Sequence, residues 1–318
     1  MPRSAHEVKA ALEGVFGFPV TPFRPDGGID LPTYRRHVRF LATQEFAAIF
    51  ACAGTGEYFS LAPGEYAEAV AAAVAEVGGR VPVLAGAGGP LPAACAFARL
   101  AADAGADGLL LFPPYLLQPE PEGLAAYVRA IAEATPLALC LYHRDNALYP
   151  PALVERLAAE IPHLVGFKDG HGNLELLTRV RLAVGDRLAF MNGMPTAEMT
   201  FPAFHACGVR SYSSAIGNFF PGLTFRFHGA VLAGEEELWR RILRRAIEPI
   251  CRIRDRKRGY AVSYVKAAVN LVGLHPGGVG GVRPPLVDLD AGEREELRAV
   301  LDRIRAEFPA ETALPAVK

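Results

Sequence analysis

The chain has 318 residues, of which 51% are hydrophobic, and its formal net charge is −1. That length fits one large α/β domain or a barrel with a small appendage. The balanced charge offers no electrostatic footprint for nucleic acid, and no segment approaches the roughly 20 unbroken apolar residues that a membrane span needs.

The N-terminus and the cysteines predict a cytoplasmic protein. Residues 1–14 carry alternating charges and lack the apolar core of a signal peptide. The five cysteines are scattered, odd in number and without CxxC spacing: Cys52, Cys95, Cys140, Cys207 and Cys251. We expect them to be small hydrophobes in a reducing compartment, and not a disulfide framework or a metal site.

Short apolar runs recur along the first two-thirds of the chain and predict eight β-strands. They cover residues 15–20, 47–53, 81–87, 108–112, 137–142, 164–168, 188–192 and 208–213. Their apolar residues are continuous and do not alternate with polar ones. This is typical of parallel strands that are buried on both faces.

The segments between these runs have helical features, and the whole pattern predicts a (β/α)8 TIM barrel. Residues 67–77 are rich in alanine, residues 92–104 end before Gly105, and residues 151–161 begin with a proline. Eight βα units close into a barrel more readily than they form an open sheet. A doubly wound open sheet is the alternative, but the first strand lacks the glycine-rich dinucleotide turn of that fold.

The pattern changes after the eighth run, where three helices without intervening strands are predicted. They cover residues 225–247, 260–272 and 292–307, and Pro249 is expected to end the first of them. We therefore predict a barrel at 15–222 that carries the active site and a C-terminal helical region at 223–318.

Two residues at neighbouring strand ends could carry chemistry. Active sites of such barrels lie at the C-terminal ends of the strands, where Tyr142 ends the fifth run and Lys168 ends the sixth. Because adjacent strands lie about 4.8 Å apart, the phenol and the amine can meet over the barrel mouth. A lysine at such a position lines a cavity, has a partner or simply reaches bulk water.

The turn after the second run is a candidate anion site. Residues Gly54–Glu57 read Gly-Thr-Gly-Glu, and successive N–H groups of a glycine-rich turn can cradle an anion. The structural alternative is an ordinary tight turn with a helix-capping threonine.

These motifs occur together with Pro113–Tyr115 and Gly166–Asp169 in an order that resembles the family of dihydrodipicolinate synthase and N-acetylneuraminate lyase. The similarity runs from about residue 14 to residue 285. It implies that Lys168 forms a Schiff base with a 2-keto acid and that Tyr142 relays protons.

The same resemblance implies further roles and an assembly. The N–H groups around Gly54 and Thr55 would hold the carboxylate of the keto acid. Tyr115 matches an aromatic residue that commonly reaches the active site of a neighbouring subunit. Members of the family are usually homotetramers, or dimers of dimers.

Several stretches of the sequence resemble one subgroup of this family, whose members dehydrate and decarboxylate a sugar diacid. Gly54 stands where the synthase usually has a threonine, and residues 142–146 read Tyr-His-Arg-Asp-Asn. Residues 54–61, 192–198 and 212–218 also resemble this subgroup. His143 departs from it, because asparagine is more usual at that position.

A dianionic substrate needs a second anion site. Arg144 could hold the distal carboxylate with its planar guanidinium, although it could equally pair with Asp145. Asn192 and Ser213 end the seventh and eighth runs, and they could bind substrate hydroxyls or satisfy loop backbone groups. No cofactor is expected, because a lysine imine is itself the electron sink.

Three alternatives remain open from the sequence. The first is an aldolase of the same family that acts on a 2-keto-3-deoxy sugar acid and releases pyruvate. The second is a catalytically silent barrel that binds sugar acids, against which the intact Lys168 and Tyr142 argue. The third is a metal enzyme that uses the i, i+4 pair His171 and Glu175, but no third ligand is evident.

Overall fold

A computed structural model describes residues 2–314 and consists of a closed barrel of eight parallel strands in sequential order. The first strand pairs with the last, through Phe16 and Ser213 among others. The strands are β1 Val15–Gly17, β2 Ala48–Ala51, β3 Val83–Ala87, β4 Gly108–Leu111, β5 Ala138–His143, β6 Leu164–Asp169, β7 Ala189–Asn192 and β8 Tyr212–Ser214. The predicted barrel is confirmed, and the open sheet is wrong.

Helices cover the outside of the barrel and form the C-terminal region. They are α1 Ala5–Ala11, α2 Leu31–Ala42, α3 Pro63–Val77, α4 Leu91–Asp103, α5 Pro121–Glu133, α6 Pro151–Glu160, α7 Leu174–Val184, α8 Phe201–Ala206, α9 Pro221–Leu232, α10 Glu236–Ile242, α11 Glu248–Arg254, α12 Tyr260–Val272 and α13 Ala291–Glu307. Gly105 follows α4 with a φ of +84°, as expected for a glycine just after a helix C-terminus.

The strands separate two apolar layers. Phe16, Phe50 and Leu110 lie in a cluster inside the barrel, whereas Ile49, Leu109 and their like pack outward against the helices. Because both faces are buried, the strands consist of continuous apolar runs.

Helix α1 closes the bottom of the barrel, and the sequence reasoning missed it. Ser4 and Glu7 form a reciprocal capping box at its start, which is a recognisable signal. Val8 and Leu12 are buried in the interior cluster beside Phe16. The opposite end of the barrel, formed by the C-termini of the strands, stays open.

The predicted helix at 225–247 is wrong in its extent. The helix is interrupted at Gly234, which lies between α9 and α10 and has a φ of +69°. It then runs past Pro249, since a π-helical turn at Leu243–Ile247 leads directly into α11. Proline cannot donate a backbone hydrogen bond and crowds the preceding turn, and the wider π turn accommodates it.

Helix α9 completes the eighth βα unit, so the barrel boundary predicted at 222/223 falls inside this helix. From residue 2 to residue 314, no helix is both long and apolar enough to cross a membrane. All five cysteines are free; three are buried and two are half-buried.

Candidate active site

Lys168 and Tyr142 meet at the open end of the barrel. They are register partners on β6 and β5, and each side chain is about 4% exposed. The Lys168 Nζ lies 4.4 Å from the centre of the Tyr142 ring and 4.2 Å from the centre of the Phe18 ring. The amine is therefore held between two aromatic faces. The strand ends in the sequence predict the contact with Tyr142, but not the contact with Phe18.

Two glycines make the room for this pair. A Cβ atom at Gly193 would lie 2.6 Å from Cγ and Cε of Lys168, and one at Gly170 would lie 2.7 Å from Cε2 of Tyr142. Both separations are far shorter than a van der Waals contact. Any larger residue at either position would therefore displace the lysine or the tyrosine.

Burial favours the neutral form of the Lys168 amine. It lowers the pKa of the Lys168 amine well below the usual value, and the nearby Arg144 charge lowers it further. No carboxylate within residues 2–314 lies within 4.0 Å of the amine to oppose this shift. The neutral form is the one that can attack a ketone.

Tyr142 is held in place through its hydroxyl group. The hydroxyl donates to the carbonyl oxygen of Gly193 at 3.1 Å and accepts from Nη1 of Arg144 at 2.9 Å. Burial raises the pKa of Tyr142, and the Arg144 guanidinium partly opposes that rise. Tyr142 therefore remains a phenol at neutral pH and can act as a proton donor.

A cavity of about 480 Å³ opens above the amine, which is large enough for a six-carbon acid. Five of the predicted binding residues lie in its lining: Gly54, Thr55, Tyr115, Arg144 and Ser213. Tyr115 is 46% exposed and stands at the mouth.

Asn192, the remaining predicted binding residue, is not among the residues that line the cavity. Its side chain is fully buried and donates to the carbonyl of Ala197 at 3.0 Å and to the hydroxyl of Thr200 at 2.9 Å. Its Oδ1 accepts from the N–H of Met194 at 3.0 Å. Asn192 therefore organises the loop after β7, which is the structural reading that the sequence left open.

The turn Gly54–Glu57 has unpaired backbone donors at two residues that line the cavity, Gly54 and Thr55. Within the described chain, the N–H groups of Gly54 and Thr55 have no hydrogen-bond acceptor. The turn itself is closed by a hydrogen bond from the N–H of Glu57 to the carbonyl of Gly54 at 3.1 Å. Unpaired amides on one side of a turn are the donors that a carboxylate requires.

Some lining residues escaped the sequence reasoning. Phe18, just after β1, could have been found with the same strand-end rule that identified Lys168. Gly259, Ala261 and Val262 lie at the start of α12 and also line the cavity. They follow the strands by more than 40 residues, so no local signal connects them with the barrel mouth.

His143 and the pair His171 and Glu175, considered above as metal ligands, are not among the residues that line the cavity. His143 is buried, and its Nδ1 accepts from the N–H of Tyr149 at 3.0 Å. His171 packs edge-on against the His143 ring, and Glu175 pairs with Arg179 at 2.7 Å. Within the described residues, no three potential ligands lie close enough to share a metal ion.

A buried lysine at the mouth of a (β/α)8 barrel, beside a phenol and free amides, defines a class of lyases that act through a lysine imine. The sequence model described as the "Dihydrodipicolinate synthetase family" matches residues 11–304. The chain belongs to this family.

Two relatives with similar sequences are both named probable 5-dehydro-4-deoxyglucarate dehydratase. One, from Rhizobium meliloti, is 44% identical over 95% of this chain and 99% of its own length. The other, from Saccharopolyspora erythraea, is 47% identical over 91% of this chain and 93% of its own.

Solved structures of the family share the fold. The dihydrodipicolinate synthase of Oceanobacillus iheyensis has a TM-score of 0.86 and 26% identity, covering 95% of this chain and all of that one. The synthase DapA-2 of Bacillus anthracis has a TM-score of 0.83 and 29% identity, covering 92% and 98%.

Proposed function

We propose that this chain is a lyase that converts 5-dehydro-4-deoxyglucarate to 2,5-dioxopentanoate, CO2 and water, as a step in the breakdown of sugar diacids. The observation that carries the proposal is the amine of Lys168, which lines the cavity and is buried with no counter-ion among residues 2–314. The names of the relatives that share 40–47% of its residues support the choice of substrate.

The chemistry balances around one imine. Lys168 condenses with the C5 ketone and releases water, which gives an iminium ion. Loss of a proton from C4 gives an enamine, which expels the C3 hydroxyl as water. The C1 carboxylate then leaves as CO2, and the conjugated iminium ion accepts the electron pair of the broken C1–C2 bond. Tautomerisation and hydrolysis consume one water and free the lysine, so one water and one CO2 are released in total. The imine is the electron sink of this scheme, which therefore needs neither a metal nor a redox cofactor.

The protein groups have separate tasks in this scheme. Tyr142 moves protons at the reacting carbons, because its ring lies against the amine and its hydroxyl belongs to the same strand end. The amides of Gly54 and Thr55 bind the keto-acid carboxylate. Ser213, whose hydroxyl donates to the Asn192 carbonyl at 3.3 Å, is the remaining candidate for a substrate hydroxyl.

The reaction type is tested by identifying the products. Incubation with 5-dehydro-4-deoxyglucarate should yield 2,5-dioxopentanoate by NMR, together with an equimolar amount of CO2. Formation of pyruvate and an aldehyde would establish the aldolase alternative. A silent binding barrel would yield neither product.

Arg144 is the residue that we propose for the distal carboxylate. In the described part of the chain, Arg144 and Lys168 are the only basic residues that line the cavity, and Lys168 is the proposed nucleophile. The Nη1 of Arg144 contacts Tyr142, and its Nε contacts Asp145 at 3.2 Å. The guanidinium is thus held at Nη1 and at Nε and can offer Nη2 to a carboxylate.

We expect Arg144→Lys to lower kcat/KM for the diacid by roughly 10- to 100-fold, since an ammonium does not reproduce a planar group that contacts Tyr142 and the substrate together, and a charge-assisted hydrogen bond is worth about 1.5–3 kcal/mol. Borohydride trapping of pyruvate, which lacks the distal carboxylate, should stay near the wild-type rate. An equal loss with both compounds would assign Arg144 to Tyr142 alone, and a fall of several degrees in Tm would assign it to the loop.

We also propose that the protein is a cytoplasmic homotetramer. The loop after β4 leaves Leu116 fully exposed and Leu117 two-thirds exposed beside Tyr115. An apolar loop tip of this kind suits a contact with a second copy. The free cysteines suit a reducing compartment. Sedimentation of the purified protein tests the assembly.

A further inference from the structure

The backbone on either side of the free amides is strained. Cys52 and Glu57 both adopt left-handed conformations, with φ values of +47° and +57°. For residues other than glycine, such conformations cost on the order of 1–3 kcal/mol and persist only where the surroundings impose them. Something outside the turn must therefore hold Gly54 and Thr55 in position.

A buried ion pair is attached to this turn. One carboxylate oxygen of Glu57 lies 2.6 Å from Nζ of Lys266, and the two side chains are 0% and 1% exposed. The ammonium also donates to the carbonyl of Gly281 at 2.7 Å and lies 3.9 Å from the centre of the Phe23 ring. A pair with this little access to water cannot exchange its partners for solvent.

A second link fixes the other oxygen of Glu57. It accepts from the backbone N–H of Arg283 at 3.0 Å. The Arg283 side chain in turn donates to the carbonyl of Ser60 at 2.8 Å and pairs with Glu65. Both carboxylate oxygens of Glu57 are thus fixed, one by Lys266 on α12 and the other by Arg283 in the loop that follows α12.

Lys266 lies on α12, and the first turn of that helix forms part of the cavity wall through Ala261 and Val262. The ion pair therefore joins two walls of the cavity, one from β2 and one from the C-terminal region. A shift of either wall would move the free amides relative to Lys168.

We propose that the Glu57–Lys266 pair positions the amides of Gly54 and Thr55 for the keto-acid carboxylate, so that both residues are positioning residues of the active site. The proposal rests on the Schiff-base function proposed above. It gives a residue of the C-terminal helical region a role in the active site, although that region contributes none of the strand ends of the barrel.

The test compares two ketones that form an imine with Lys168 but differ in one group. Pyruvate carries the carboxylate and acetone lacks it, and borohydride traps both. The variant is the double replacement Glu57→Gln with Lys266→Met, because removing one partner alone leaves a buried charge and endangers folding. Lys9→Met, at the opposite end of the barrel, is the matched lysine control.

We expect the half-saturating pyruvate concentration of the double variant to rise roughly 10- to 100-fold, which is the loss of one charge-assisted hydrogen bond. Trapping of acetone should stay within about twofold of wild type, and the control should match wild type with both ketones. An equal loss with both ketones, or an unchanged response to pyruvate, would overturn the proposal.

A double variant that does not fold is replaced by Glu57→Asp, which keeps both charges and withdraws the carboxylate by one methylene. The same contrast between pyruvate and acetone applies to it. Both probes report imine formation, not turnover of the diacid, so the result stands apart from which products the enzyme releases.

Discussion

Lys168→Met is expected to reduce turnover of the diacid by about 10⁴-fold or more, because methionine fills the same space without a nucleophile. Borohydride with pyruvate should add mass only to the peptide that contains residues 166–169. Since the amine lies between the rings of Phe18 and Tyr142, the apolar thioether fits there and Tm should change little.

Lys266 is the competitor in this experiment, because it is the other lysine of the described chain whose burial lowers its pKa. Its pKa falls to about 8, and the adjacent Glu57 favours the charged form. At neutral pH it is therefore mostly protonated and paired, whereas no carboxylate of the described residues lies beside Lys168. The Lys9→Met variant should be labelled like wild type. Label on the peptide that contains Lys266, or turnover that survives Lys168→Met, would refute the assignment.

The strand ends were predictable because burial on both faces leaves a continuous apolar run in the sequence. This is why Lys168 and Tyr142 could be placed at adjacent positions of the barrel mouth. The position of Asn192 outside the cavity lining has a simple physical origin. Side chains alternate along a strand, so that Met191 points inward with its partner Lys168, while Asn192 pairs with Asp169 and points outward. A strand end alone does not state which of the two faces its last residue occupies.

Other parts of the site depend on contacts that no local pattern contains. Gly193 matters because the Lys168 side chain occupies the space of its missing Cβ atom. Glu57 and Lys266 are far apart in the sequence, and neither has a periodic signal. The sequence predicts that Pro249 ends a helix, but the helix continues. The proline is tolerated because of a π turn that forms only in the folded chain.

Tyr142→Phe is expected to keep the amine in place and to remove the proton relay. The ring against Lys168 is retained, and only the hydroxyl that contacts Gly193 and Arg144 is lost. A positioned proton donor contributes about 10²- to 10⁴-fold to a rate. We therefore expect kcat to fall by that factor, while the half-saturating concentration of pyruvate in trapping stays near wild type.

The step that fails can be observed directly. In D2O, a working relay exchanges the methyl protons of pyruvate through the enamine, and NMR follows that exchange. Tyr142→Phe should slow the exchange by about 10²- to 10⁴-fold, while borohydride still traps the imine at Lys168. Tyr127→Phe is the matched control, because the buried Tyr127 hydroxyl donates to the carbonyl of Gly89 at 2.9 Å without contacting the amine. Exchange at the wild-type rate in Tyr142→Phe would assign the proton transfer to another group, whereas loss of both exchange and trapping would mean that the phenol is already needed to form the imine.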